Sequence, residues 1–148
     1  MRGEAGAPAR IQHASLAVED VGRSLSFYES VFDAHVVLHA PDMTDLIRRT
    51  TGVQGLSCDL VQLRFDAGDA LLELIAFRDV PEGMQDEAPV RTGHGHVCLG
   101  VADFDVALSR ACAFGATALG DVVRYPDGRS VYLREPGGSV VELEEVEN

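Results

Sequence analysis

Two histidines and two glutamates in this chain have the residue types and spacing for metal chemistry. His13 and Glu73 are separated by 60 residues, and His96 and Glu142 by 46. Two neutral imidazoles and two carboxylates can hold one divalent ion and balance its charge. Such an ion polarises a carbonyl or a pair of neighbouring oxygens as a Lewis acid. A carboxylate able to loosen from it can then remove a proton from the adjacent carbon, which makes Glu73 and Glu142 the candidate catalytic bases. Taken singly, each residue has a bland reading, a structural histidine or an exposed acid. What lifts them above it is their placement in a repeated unit.

The repeat is visible when "HASLAVEDVGRSLS", from His13, is laid over "HVCLGVADFDVALS", from His96. The two share His13/His96, Leu16/Leu99, Val18/Val101, Asp20/Asp103, Leu25/Leu108 and Ser26/Ser109, in order and without a gap. Further on, "VQLRFDAGDALLEL" and "VYLREPGGSVVEL" match at Val61/Val131, Leu63/Leu133 and Arg64/Arg134. One residue of slack at the glycine turn then aligns Glu73 with Glu142 and Leu74 with Leu143. A duplicated unit must be settled before any fold assignment.

Each unit reads as strand, helix, strand, strand, strand. The alternating segments 11–18 and 95–101 predict the first strands. Asp20 and Asp103 stand where a helix N-cap is needed. Amphipathic helices follow, with Val21, Leu25, Tyr28 and Phe32 on one stripe and Phe104, Leu108, Ala111 and Phe114 on the other; Gly115 suits the end of the second. The last two strands of each unit form hairpins about "DAGD" and "PGG". The fold class is thus α+β, two βαβββ modules at about 9–78 and 94–148 in one 1–148 domain, joined by a Pro- and Gly-containing linker at 79–93. The first unit is longer by an insertion at 40–55, expected to be a short helix plus loop that either covers a pocket or is a tolerated surface excursion.

Strand alternation assigns faces. His13 shares a face with Ile11, Ser15 and Ala17; Ala14, Leu16 and Val18 point the other way, toward the helix. His96 shares a face with His94, Cys98 and Gly100, opposite Val97, Leu99 and Val101. Small residues around each histidine leave room for a pocket. Glu73 and Glu142 sit between apolar neighbours, where a carboxylate is costly without a cation or hydrogen bonds. His94 matches Ile11, not a histidine, and is read as a rim residue, with the alternative that it replaces His96 as ligand.

Bulk properties narrow the partners. A net charge of −12 excludes a concentrated basic face for nucleic acid, and no run is long and apolar enough for a membrane span. All twelve basic residues are arginine, which leaves an anionic small molecule possible. Three cysteines without CxxC spacing indicate reduced thiols, and the N-terminus lacks a secretory pattern, so a cytoplasmic location is expected.

These motifs, of which "HASLAVEDVGRSLSFYESVFD", "GHGHVCLGVADFDVALSRACAFGA" and "YLREPGGSVVELEE" are the specific pieces, resemble the vicinal oxygen chelate superfamily, which groups glyoxalase I, methylmalonyl-CoA epimerase, extradiol dioxygenases, and fosfomycin- and bleomycin-resistance proteins. The resemblance runs from about Ile11 to Glu145. It implies paired βαβββ modules whose curved mixed sheets form a cup around a metal, with ligands His13, Glu73, His96 and Glu142. A His, Glu, His, Glu set is most similar to glyoxalase I, whereas dioxygenase and fosfomycin-modifying members use three ligands. The chain departs from a glutathione-binding glyoxalase after Glu73, at "LIAFRDVPEG", and lacks the epimerase's longer loop before its last ligand.

The expected function is therefore a metal-dependent isomerase, epimerase or glyoxalase-type lyase acting on a small chelating carbonyl or vicinal-oxygen substrate. One divalent ion per site (Ni, Co, Zn, Mn or Fe) is expected, in a homodimer whose sites lie within one chain or between two. In the insertion, Asp42 or Asp45 is an alternative base. The alternatives are a non-haem iron dioxygenase, with Glu73 beside the metal, and a non-catalytic protein that sequesters a small molecule. Six Phe, three Tyr and no Trp offer little for an aromatic stacking pocket.

Overall fold

The computed structural model describes residues 12–51, 53–82, 95–126 and 128–146. Module one runs β1 (His13–Ala17), α1 (Val21–Phe32), β2 (His35–Met43), α2 (Asp45–Thr51), β3 (Ser57–Arg64) and β4 (Leu71–Arg78). Module two runs β5 (Val97–Val101), α3 (Phe104–Ala113), β6 (Thr117–Ala118), β7 (Val123–Tyr125), β8 (Gly128–Arg134) and β9 (Val140–Glu145). The architecture is α+β, with two mixed sheets: β1-β4-β3-β2, and β5-β9-β8-β6 with β7 also paired to β8. In both, the first strand lies parallel to the last while the remaining pairs are antiparallel.

Both long helices start where their aspartates cap them. Asp20 accepts from the backbone N–H of Arg23 and Asp103 from that of Val106, each at 3.1 Å, satisfying donors that a helix N-terminus otherwise leaves unpaired. The buried stripe of α1 is Ser24, Phe27, Tyr28 and Val31. It is rotated from the expected one, and Val21, Leu25 and Phe32 pack only partly against the core. In α3, Phe104, Ala107 and Ala111 are buried, Leu108 is partly buried and Phe114 is exposed. One core joins the modules: Leu16, Phe27, Tyr28, Leu63 and Leu74 from the first, with Phe104, Ala111, Leu133 and Leu143 from the second.

Two departures concern strands. In module two the first of the three expected strands is broken into β6 and β7. In module one, residues 40–43 of the insertion extend β2, and only then does α2 follow. Ile47 of α2 is buried with Leu56, Cys58, Leu60 and Ile75. By alternation, Cys58, Leu60 and Ile75 lie on the sheet face that carries Glu73, so the insertion covers one end of that face. No helix among the described residues is long and apolar enough to cross a membrane.

The modules meet through their turns. The β8–β9 turn, Glu135 to Ser139, seats on the end of β1: Glu19 N–H donates to the Gly137 carbonyl at 2.6 Å, and Ser139 Oγ donates to the Ala17 carbonyl. Glu135, almost fully buried, accepts from Ser24 Oγ at 3.0 Å and from the N–H groups of Gly137 and Ser139 at 2.6 and 3.2 Å. A Cβ at Gly137 would fall 1.7 Å from Ser24 Oγ, so only glycine permits this approach. Burial raises the Glu135 carboxyl pKa, although those hydrogen bonds oppose the shift.

Candidate metal centre

Each module brings its histidine and its last-strand glutamate together. In module one, β1 and β4 place Ser15 opposite Glu73, and β3 places Gln62 on its other side. Ser15 Oγ donates to Glu73 Oε1 at 3.0 Å, Gln62 Nε2 donates to Oε2 at 2.9 Å, and His13 Nε2 lies 4.0 Å from that same Oε2. The other ring nitrogen of His13 is hydrogen bonded to Gln12.

In module two, the register places Cys98 and Tyr132 on either side of Glu142. His96, one residue ahead of β5, has Nε2 3.1 Å from Glu142 Oε2 and its ring set edge-on to Tyr132, with centroids 4.7 Å apart. The Cys98 thiol donates to Glu144 at 3.2 Å. Burial, that hydrogen bond and the charges of Glu142 and Glu144 push its pKa up to about 12, so it is a thiol and not a thiolate at neutral pH.

Within each module the spacing can be compared with that of two neighbouring ligands on an ion. Donor atoms about 2.1 Å from a metal and adjacent to one another lie about 3 Å apart, close to the His96–Glu142 distance and somewhat under the His13–Glu73 distance. Gln62 and Tyr132 were not expected as site residues. They occupy equivalent positions of the aligned "VQLR" and "VYLR" segments, where the alternation that placed the glutamates also points them to the same face.

The two pairs do not converge within one chain. Among the described residues, the group whose ligand atoms all lie within 4.8 Å of one another is Cys98, Glu142 and Glu144, and neither His13 nor Glu73 belongs to it. The module junction supplies the reason. The β8–β9 turn lies beside the start of the parallel β5/β9 pair and abuts the end of β1. His96 thus stands near the end of β1, and His13 at its start. At about 3.3 Å per residue, a five-residue strand separates them by roughly 13 Å.

The alternative base Asp42 is engaged elsewhere, in an ion pair with Arg78 at 2.6 Å. Arg78 also meets Asp59 at 2.8 Å; the Asp42 backbone N–H and the Arg78 guanidinium hold the Asp59 carboxyl below its usual range. Asp45 is exposed at the first turn of α2. His94 lies outside the described residues.

A family model described as the Glyoxalase/Bleomycin resistance protein/Dioxygenase superfamily matches residues 10–143. No curated protein matches the chain. Among solved structures, a glyoxalase family protein from Bacillus cereus superposes with a TM-score of 0.80 at 24% identity, covering 97% of each chain. TnmS3, an antibiotic binding protein from Streptomyces sp. CB03234, gives 0.61 at 20% identity, covering 95% of this chain and 98% of its own. The genomically encoded fosfomycin resistance protein FosX from Listeria monocytogenes, in complex with Mn(II) and a sulfate ion, gives 0.61 at 17% identity, covering 94% of this chain and 93% of its own.

Proposed function

The chain belongs to the Glyoxalase/Bleomycin resistance protein/Dioxygenase superfamily, and from that premise we propose that it is a metal-dependent isomerase, epimerase or lyase acting on a small substrate with a carbonyl or vicinal oxygens. The observation that carries the reading is the recurrence, in both modules, of an imidazole Nε2 facing a carboxylate Oε2 on the open face of the sheet. Because one chain keeps the two pairs apart, we place the full site between two copies, with His13 and Glu73 from one protomer and His96 and Glu142 from its partner. A divalent ion held by these four would supply Lewis acidity toward the substrate oxygens.

The two glutamates then take different parts. Glu73 accepts hydrogen bonds on both carboxylate oxygens and is fixed in place. Glu142 is hydrogen bonded to His96 through one oxygen, and the thiol equivalent to Ser15 is turned to Glu144 instead. Glu142 is therefore the carboxylate able to swing toward a substrate C–H, take its proton and return it to the same or the neighbouring carbon. The α2 insertion, lying on the Glu73 face, limits access of water and sets the size of substrate.

The test pairs elemental analysis with a mixing experiment. Wild-type protein should hold stoichiometric metal and catalyse proton–deuterium exchange on α-hydroxycarbonyl or acyl-thioester substrates. A His13→Ala/Glu73→Ala chain and a His96→Ala/Glu142→Ala chain should each be inactive. Refolded together, they should recover about one quarter of the wild-type sites, since half the dimers are mixed and each mixed dimer rebuilds one of its two sites. No recovery on mixing overturns the shared site, and absence of metal from the wild type overturns the reading as a whole.

One observation favours a second reading. With both oxygens of Glu73 already hydrogen bonded, His13, His96 and Glu142 alone would form a two-histidine, one-carboxylate set suited to non-haem iron and oxygen. Oxygen uptake with ferrous ion supports that reading, and anaerobic turnover with nickel, cobalt or zinc excludes it.

A further inference from the structure

The duplication gives the molecule two equivalent module junctions, and they are finished differently. At the first, the turn 135–139 seats on β1 and α1, and Ser24 and Glu135 lock it. At the second, the equivalent turn of module one, 65–70, faces β5 and α3 across a cavity of about 650 Å3. There Phe65 stands in the place of Glu135 and Ala107 in the place of Ser24, so no polar lock can form. Leu16 of β1 and Val18 just after it are buried, whereas their counterparts Leu99 and Val101 are only half-buried. Val106, at the mouth, is 52% exposed.

The cavity lies on the helix side of β5, with Val97, Leu99 and Val101 in its lining. These point away from the face of His96 and Glu142. Although Cys98 and Gly100 of the same strand also border the cavity, neither His96 nor Glu142 lines it, so it opens on the side of β5 opposite the proposed metal centre. Its volume is within the range of roughly 300–1,000 Å3 that small-molecule sites occupy. Among the described residues, its charged lining consists of three carboxylates, Asp33, Asp66 and Asp103, and one guanidinium, Arg110. Arg110 is drawn to the Ser30 carbonyl at the end of α1. Asp103 caps α3, and Asp66 meets His35 at 3.0 Å. Asp33, held in the left-handed region at φ 54° as the C-cap of α1, adds a carboxylate to an apolar wall.

We propose that this junction cavity is a second small-molecule site, which takes a compact apolar body carrying a positive charge, such as an arylalkyl amine. The aromatic and aliphatic wall from Phe32, Phe65, Leu72 and Leu99 receives the apolar body, and the excess of carboxylates selects the cation. Burying the ligand removes from water the apolar surface that the described residues leave open at this junction.

Phenylbutylamine, phenylbutanol and phenylbutyrate differ in charge at nearly constant shape, and their affinities for the intact protein can be measured by NMR titration. The amine should bind about tenfold tighter than the alcohol and tighter still than the acid. Asp33→Asn should reduce that preference and leave the alcohol unchanged. Val106→Trp, at an exposed position, should block the mouth and abolish binding without disturbing the core, and Ala107→Phe should do the same by filling the cavity. His96→Ala should leave the amine affinity unchanged. Equal affinity for all three probes overturns the assignment of a cationic ligand. Absence of binding, binding that survives Val106→Trp, or binding lost with His96→Ala overturns the site.

Discussion

The two half-sites occupy equivalent positions of one repeated unit, yet they are braced differently. Around Glu73 stand Ser15 and Gln62, both donating to it. Around Glu142 stand Cys98, whose thiol serves Glu144, and Tyr132, which presents its ring to His96. Module one therefore braces its carboxylate with two donors, whereas module two sets an aromatic ring against its imidazole. A site that needs one fixed ligand and one mobile base can be built from a symmetric duplication only by breaking the symmetry in the neighbours, since the ligands themselves are the same residues. On the proposed mechanism, the division of labour lies in what surrounds each glutamate.

The largest effect should come from exchanging the carboxylates. Glu142→Gln is expected to lower proton exchange by about 10²–10⁴-fold, the usual contribution of a positioned acid or base. Glu73→Gln should weaken metal retention first, while exchange at saturating metal falls less. The measurement is exchange rate against metal concentration for both variants. Equal losses of rate at saturation would erase the distinction between them.

Next come the braces. Gln62→Ala removes the amide that orients Glu73 and should weaken metal affinity by about 10–100-fold, as loss of a group supporting a ligand does. Tyr132→Phe keeps the ring that packs edge-on against His96 and should cost less affinity than Gln62→Ala. Competitive chelator titration distinguishes the two. If Tyr132→Phe cost as much as Gln62→Ala, the hydroxyl and not the ring would be what matters in module two.

Much of this asymmetry is legible in the chain, but not all. The duplication and strand alternation place His13, Glu73, His96 and Glu142 at equivalent positions on one face, because a strand's period fixes facing. Alternation says nothing about how two sheets are set against each other, so the separation of the pairs depends on the seat of Glu135 to Ser139 on β1. The buried stripe of α1 departs from its apolar periodicity for a related reason. Ser24 is buried because Glu135 binds it, and hydrophobic periodicity cannot see a polar residue buried by a partner 111 positions away. The break between β6 and β7 has no counterpart in the longer β2, and the matched residues of the two units carry no signal for it.

The two junctions extend the comparison to stability. Gly137→Ala forces a Cβ into Ser24 Oγ and should destabilise by about 2–4 kcal/mol, the size of overpacking combined with a disturbed buried carboxylate. At the open junction, a Cβ on Gly68 would meet nothing within 4 Å, but the residue has a φ of +141°, so Gly68→Ala should cost only about 1 kcal/mol of backbone strain. Urea denaturation compares them directly, and similar losses would contradict the closed and open description. The locked junction also carries a pH signature. Burial raises the Glu135 carboxyl pKa, so its proton is held more tightly in the folded state than in the unfolded chain. Its contribution is complete below the ordinary carboxylate range and is lost as pH rises through the raised value. The stability of Glu135→Gln relative to wild type should therefore increase as pH rises from the ordinary carboxylate range through the raised value, and a constant difference would place the titration elsewhere.

The smallest effect concerns the same junction from beneath. Tyr28 is fully buried, and its hydroxyl is buried without a hydrogen-bond partner among the described residues. Burial, reinforced by the Glu135 charge, holds its pKa well above that of a free phenol, so it remains neutral. An unsatisfied buried polar atom costs about 1–3 kcal/mol. Tyr28→Phe deletes that atom and keeps the edge-on packing against Phe27 and the contact with Phe32. The variant should be more stable by about 1 kcal/mol, seen as a rise of about 2–4 °C in Tm. Module two needs no such ring, because Ala111 fills the equivalent place. A fall in Tm would mean instead that the Tyr28 hydroxyl supports the Glu135 lock, and the closed junction would then depend on three buried polar side chains, Ser24, Glu135 and Tyr28.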